Sequence, residues 1–449
     1  MTTAAEMDLL LTVPPALSAR VVGSFAYLTI RDRLPTILTK AVDSIHRHKD
    51  KFFEQHGEEG IRAEKAAIAL LSKLRNELQT DKPVLALSDE LEDADAWNRY
   101  LQRHQNLQGD QDSVSWFKSP WLYVECYMYR RIQEALWLNP PISDFDVFNE
   151  AKTQSYFESQ RAVMALCTYL EGLRKSIEGL PDNQLLDHFG KLLQVSLWGN
   201  KCDLSISAGQ ENSQKVSPLD SLDDLRPYIL VDDFSSVWSA LILGRNQSGP
   251  GRVDIVLDNA GFELTTDLVL ADFLVSSGLA RTVRFHGKSM PWFVSDVTAR
   301  DFQWTIRQTM AANHMWMSKS GVQWQSYVQE GTWTYHDHPF WTQPHQFCDM
   351  ASDAADLYAD LQGAALVLFK GDLNYRKLTG DLDWEPTVGF DVALQGFGPA
   401  PLCSLRTLKA NVQVGLQPGQ AEKLSAHHPD WMTSGKYAVV QFHSPHSDL

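Results

Sequence analysis

Apolar positions recur three and four residues apart along the first 180 or so residues, as in the run Ile61 to Leu71, which is the pattern of helices that bury one face. Beyond the loop signal Leu180-Pro181-Asp182-Asn183 the texture changes to short β-branched runs alternating with helical stretches. The expected strands are Val253 to Leu257 after the Gly249-Pro250-Gly251 turn, Thr282 to His286, Ala364 to Phe369 and Tyr437 to Phe442, with a helix over Thr266 to Ser276. Such alternation predicts a mainly parallel sheet with helices on both faces. The expected organisation is therefore α/β: an all-helical N-terminal domain, residues 1–180, then a Rossmann-like three-layer α/β/α sandwich, residues 181–449.

Composition agrees, since 449 residues with 44% hydrophobic and 21% charged side chains exceed one ordinary core and are too apolar for disorder. The formal charge of -16 repels nucleic acid and anionic lipid, so neither is an expected partner, and a phosphate-bearing ligand needs a local basic site. Five cysteines without a CxxC fit reduced thiols in the cell interior, with the cytoplasm expected and the nucleus left open. The N-terminal apolar run is broken by Pro14-Pro15 and lacks an early basic patch, which suits neither a signal peptide nor a membrane span. Oligomeric state leaves no mark on the sequence.

Chemistry is expected where strands end, because open α/β sheets bind ligands outside the carboxyl edge. Two apolar runs end in oxygen donors there: Val256-Leu257 runs into Asp258-Asn259, and Trp292-Phe293-Val294-Ser295 runs into Asp296. Two carboxylates and an amide suit a hard cation that keeps open positions for water and a phosphoryl oxygen. Turn and helix capping accounts for most strand-end acids of this kind, and spacing alone gives a weak signal. Other features carry less. The acids Asp89, Glu90, Glu92, Asp93 and Asp95 read as a solvated loop, His336-Asp337-His338 and His46-Arg47-His48 lack further ligands, and Asp232-Asp233 reads as the cap of a helix from Phe234 to Leu243. No GxGxxG follows a strand, which disfavours a dinucleotide site.

Several long strings together resemble the damage-control phosphatase family of metal-dependent sugar-phosphate phosphatases. They are Phe25-Ala26 with Arg33 to Leu38, Pro120-Trp121-Leu122 with Glu125 to Ile132, Leu197 to Ser205, Asp258 to Glu263, Lys288 with Pro291 to Val297, Gly371 to Leu378, and Arg406-Thr407-Leu408-Lys409. The last is similar to the RTxK signature of the third subfamily. The resemblance implies that Asp258, Asn259 and Asp296 are metal ligands and catalytic. It implies that Glu263, the segment Asp372, Leu373, Asn374, Tyr375 and Arg376, and Lys409 line the substrate pocket. The implied cofactor is a divalent ion, manganese or magnesium first, cobalt or nickel as alternatives. The implied partner is a small phosphorylated metabolite such as fructose 1-phosphate or fructose 6-phosphate. In-line phosphoryl transfer to water is expected, by direct attack of water or through Asp258 as nucleophile. Within that set Arg376 is expected to grip phosphate oxygens through its fork and Lys409 to act as a point charge, with Asp372 and Asn374 on sugar hydroxyls. Glu263 is expected at the substrate or just behind the metal, Arg406 is expected to pair with an acid, and Lys370 and Lys377 read as solvated surface charges. The same subfamily has also been described as S-adenosylmethionine-dependent methyltransferases of protein carboxylates, the alternative reading, for which the chain offers no glycine-rich loop.

Overall fold

A computed structural model of the chain describes residues 13–108, 114–199 and 217–445. The string Asn200 to Ser205, most of the Ala208 to Pro218 loop and the start of the chain through Thr12 lie outside the described residues.

The helical part begins with α1 (Phe25–Leu28), a π-helical turn over Thr29–Arg33, and α2 (Leu34–Arg47), which continues from that turn with Pro35 at its second position. It continues with α3 (Lys49–Gln79), kinked at Gly57, then α4 (Ala94–Gln108) and α5 (Trp121–Trp137). Helix α5 is buried almost throughout, and its Arg130 is fully enclosed. That arginine corrects the reading of the acidic run: Asp89 and Asp93 are buried, each accepts charge-assisted bonds from Arg130 at 2.7 to 3.0 Å, and they exist there because a buried guanidinium must be paired.

Helices α6 (Asn149–Glu158), α7 (Gln160–Arg174) and α8 (Asp182–Leu197) lead into the sheet region. There, β1 (Ile229–Asp232), α9 (Phe234–Ser248), β2 (Gly251–Val256), α10 (Phe262–Ser276) and β3 (Ala280–His286) are followed by α11 (Ala299–Met310), α12 (Met315–Gln329), β4 (Trp333–His336), β5 (Leu366–Lys370), α13 (Gly371–Leu378), β6 (Leu402–Thr407) and β7 (Ala438–His443). The four expected strands are present within two residues at each end. Strands β1, β4 and β6 add to them, completing a seven-stranded sheet in the order β1-β7-β6-β5-β2-β3-β4. All neighbours are parallel except β6 and β7.

Helix α10 is buried on all sides from Phe262 to Leu274, which is why its sequence shows no polar face. Its apolar side chains share one core with α7, α8 and the sheet, whereas a second core joins residues from Ala19 to Phe148. The cores thus change hands between Phe148 and Ala162, so α7 and α8 pack as part of the sheet's flank.

The topology marks one crevice. From β2 the chain moves outward through β3 and β4 on one side, while β5 and β6 fill the other, so the carboxyl ends of β2 and β5 meet at a switch point. The segment after β2 is Asp258-Asn259, the segment after β5 is α13, and the segment after β6 carries Lys409.

Candidate active site

Residues Lys288 to Thr298 do not form the expected apolar strand. They make a loop that lies antiparallel against the end of β2: Ala260 N donates to Ser295 O (2.7 Å), Val297 N to Asp258 O (2.9 Å), and Asn259 bridges Asp296. Phe293 and Val294 both take left-handed backbone angles, φ 43° and 70°. A β-branched residue pays for that conformation, and here the strain turns the chain so that Ser295 and Asp296 face Asn259. Phe293 is braced by stacking on Tyr129, 4.6 Å between ring centroids.

Asp258, Asn259 and Asp296 converge on one cavity of about 760 Å³ at the switch point. Asn259 Nδ2 donates to Asp258 Oδ2 (2.6 Å) and to Glu263 Oε2 (2.8 Å), and its Oδ1 accepts from Ser295 Oγ (2.5 Å). Asp296 is buried; its Oδ2 lies 3.2 Å from Lys288 Nζ yet accepts no hydrogen bond. Burial, then Glu263 and Asp296, pushes the Asp258 carboxyl well above its ordinary range, and burial pushes Asp296 up to about 6 against the pull of Lys288. Acids crowded so that they resist ionisation, one with an unsatisfied buried oxygen, fit a hard divalent cation held by two carboxylates and an amide oxygen. The third donor being an amide, no group of three acidic, histidine or cysteine side chains suited to a metal occurs among the described residues, the His336 and His46 clusters included.

Space is made for Asp258 by Gly371, whose φ is +82°; a Cβ there would stand 1.9 Å from Asp258 Oδ2. The N-terminal turn of α13 therefore abuts the Asp258 carboxylate, at the positive end of the helix dipole.

The segment from Asp372 to Arg376 divides. Asp372, Leu373 and Arg376 line the cavity, as does Lys409. Asn374 and Tyr375 do not. Asn374 is buried and its Nδ2 donates to the carbonyls of Lys370 (2.7 Å) and Leu257 (3.3 Å), pinning α13 to the end of β2; Tyr375 donates to Gln441 Oε1 (2.9 Å). At helical spacing their side chains leave the face that Asp372 and Arg376 share.

Arg376 also differs from the expected phosphate clamp. Its Nε and Nη2 donate to Asp381 (2.8 and 2.9 Å), its Nη1 to Glu125 (2.6 Å), and its plane lies 3.7 Å over Trp121. A guanidinium this buried must be neutralised by protein carboxylates, and the result is a clamp joining α5 to α13 along the cavity wall. Arg406 pairs with Asp372 (2.8 Å), whose Oδ1 also accepts from Lys409 N (3.1 Å), so the RTxK turn is tied to the start of α13.

Two lysines read as surface charges are buried. Lys370 Nζ donates to Glu263 (3.0 Å), Asp267 (2.8 Å) and the Ser196 carbonyl (3.0 Å), which fixes Glu263 behind Asn259. Lys377 Nζ donates to the Gln343 carbonyl (2.5 Å), and burial lowers its pKa to about 8. Lys370 closes the apolar run Leu366 to Phe369, and a lysine at the end of a buried parallel strand has nowhere exposed to go, which was the available signal; Lys377, inside α13, carried none.

The mouth is completed by residues that carried no assigned role. Asp32, Arg33, Thr36, Ile37 and Lys40 of the π-turn and α2 line it opposite the sheet. π-Helical turns recur at functional sites, and this one sets Arg33 at the cavity edge.

The fold and this donor set define a class of α/β enzymes with a carboxylate-rich site at the switch point. Residues 29–424 match the model of the damage-control phosphatase ARMT1-like domain, and the chain belongs to that family. It is 69% identical over 439 residues to the damage-control phosphatase ARMT1 of Danio rerio, covering 97% of this chain and 98% of that protein. To the protein of the same name from Homo sapiens it is 59% identical over 437 residues, covering 96% and 99%. Among solved structures, a DUF89 family protein from Pyrococcus horikoshii aligns over 80% of this chain and 92% of that one, with 12% identity and a TM-score of 0.37.

Proposed function

We propose that the chain is a divalent-metal-dependent phosphatase that hydrolyses small phosphorylated metabolites, sugar phosphates such as fructose 1-phosphate and fructose 6-phosphate among them, in a metabolite damage-control role. The observation that carries the proposal is the convergence of Asp258, Asn259 and Asp296 beside the N-terminus of α13, supported by the family and by relatives named damage-control phosphatases. Asp258, Asn259 and Asp296 would hold the ion, with manganese or magnesium favoured by all-oxygen donors and cobalt or nickel accommodated by the amide. A dication there supplies charge neutralisation for the transferring phosphoryl group.

The chain's own residues do the rest. Glu263, held by Lys370, fixes the Asn259 amide through a 2.8 Å bond. The N–H groups opening α13 and the Lys409 ammonium offer positive donors for phosphoryl oxygens, while Asp372, steadied by Arg406, faces the sugar side. Leu373 and Trp121 wall the cavity. The reacting phosphoryl group passes in line to water.

The alternative reading, carboxyl methylation from S-adenosylmethionine, gains no support from β2, whose end carries Asp258 and Asn259 in place of a glycine-rich loop. Among the described residues no helix is long and apolar enough to cross a membrane. The free cysteines Cys126, Cys167, Cys348 and Cys403 accord with our placement in the reducing cell interior.

The test is a panel of ketose and aldose phosphates, a phosphoserine peptide and a 5′-phosphorylated oligonucleotide, each with chelator and with several divalent ions. Metal-dependent phosphate release graded across the sugars, with little from the macromolecules, is expected from a chain of charge -16 that repels extended polyanions. Methyl transfer without any phosphate release would replace this reading by its alternative.

A further inference from the structure

Lys409 aside, the cations around the cavity fall into two sets. On the sheet side Lys288 is paired with Asp296, Lys370 with Glu263 and Asp267, Arg376 with Asp381 and Glu125, and Arg406 with Asp372. On the helical side Arg33 and Lys40 are exposed, line the same cavity, and take part in no hydrogen bond or ion pair among the described residues. Their neighbour Asp32 is engaged by Arg31 at 2.6 Å, outside this pair.

Arg33 and Lys40 are seven positions apart across the start of α2, so they share one helix face about 10 Å apart along the axis. Thr36 and Ile37 lie between them on that face and line the cavity as well. The face therefore lines the same cavity as Asp258, Asn259 and Asp296. In a chain with 56 acidic against 40 basic side chains, two unpaired cations turned toward a phosphate cavity are placed against the general trend.

We infer that Arg33 and Lys40 form a second anion subsite, and that the preferred substrates are small phosphorylated metabolites carrying another anionic group, a phosphate or a carboxylate, at the end away from the scissile phosphate. The inference rests on the phosphatase reading and narrows its substrate class. Arg33 offers a planar fork for a carboxylate or phosphate, and Lys40 a mobile point charge that tolerates different chain lengths. Because both are exposed, the contact is screened by salt, unlike the buried pairs across the cavity.

The test compares substrates matched at the scissile group: fructose 1,6-bisphosphate against fructose 1-phosphate, and 6-phosphogluconate against glucose 6-phosphate, all with manganese. The native protein should favour the doubly anionic member by roughly tenfold in kcat/KM at low salt, and the advantage should shrink at high salt. In the Arg33→Met/Lys40→Met double variant the ratio should fall to near one, and Arg33→Lys should restore part of it. An advantage confined to the bisphosphate pair assigns the subsite to phosphate, and one confined to the acid pair to carboxylate. A ratio unmoved by the double substitution, with phosphate still released from the monoanionic members, overturns this inference alone. Absence of metal-dependent release from every member overturns the phosphatase reading with it.

Discussion

The two walls of the cavity handle charge in opposite ways. On the sheet wall Lys288, Lys370, Arg376 and Arg406 are each buried against carboxylates, with Arg376 and Arg406 each 3% or less exposed. On the α2 wall Arg33 and Lys40 stand free in solvent. The difference separates groups that must hold position from groups that need only attract. A buried charge is costly to bring in and costlier to leave unpaired, so it is fixed in one geometry, whereas an exposed charge is cheap, mobile and screened. The sheet wall is thus the preorganised part of the site, and the helical wall the adaptable part.

The sharpest way to break that contrast is at Gly371. Gly371→Ala drives a methyl group into the place of Asp258 Oδ2 at a backbone angle alanine rarely adopts, so turnover should drop at least about a hundredfold. Steady-state phosphate release with manganese checks it, and the same substitution at the equally left-handed Gly419, where nothing lies within 4 Å of a Cβ, controls for backbone strain alone. Next in size is Arg376→Met, which strands Asp381 and Glu125 as buried charges and should cost about 3–5 kcal/mol of stability in chemical denaturation. Adding Asp381→Asn and Glu125→Gln should recover much of that loss. If Arg376 instead served chiefly to grip phosphate, activity would fall with stability intact.

Lys377 supplies a pH signature. Its folded pKa, about 8, lies below the ordinary 10.5, so the unfolded chain binds the extra proton between those values. Stability should therefore rise with pH from about 8 to 10.5, and the penalty is fully present below 8. Lys377→Met should flatten that slope and raise stability at neutral pH, as read by denaturation at pH 7 and pH 10. Least affected should be the exposed wall: Arg31→Ala breaks the Arg31–Asp32 pair without a measurable change in melting temperature, because both partners are solvated.

How far the chain could be read follows the same division. Strands β2, β3, β5 and β7 were legible because buried parallel strands are continuous apolar runs, while β1, β4 and β6 are short or carry polar residues such as Arg406 and Thr334. Asp258, Asn259 and Asp296 were named from strand ends and resemblance, and they meet at the cavity; Asp296 arrives there on a strained loop that no periodicity announces. Asn374, Tyr375, Lys370 and Lys377 were misplaced because their roles depend on which face of a short helix, or which end of a buried strand, meets distant segments such as Gln343 and Gln441. The acids Asp89 and Asp93 looked solvated because their partner, Arg130, lies 37 and more residues away. A domain division at residue 180 stays a proposal beside cores that separate between Phe148 and Ala162.

The central claim is that Asp258 belongs to the ion and the chemistry and contributes little to the fold. Asp258→Ala should keep the native circular dichroism, lose most of the manganese affinity seen by calorimetry, and release no phosphate above background from fructose 1-phosphate at saturating manganese. Sustained turnover in that variant, with its fold intact, would contradict the account.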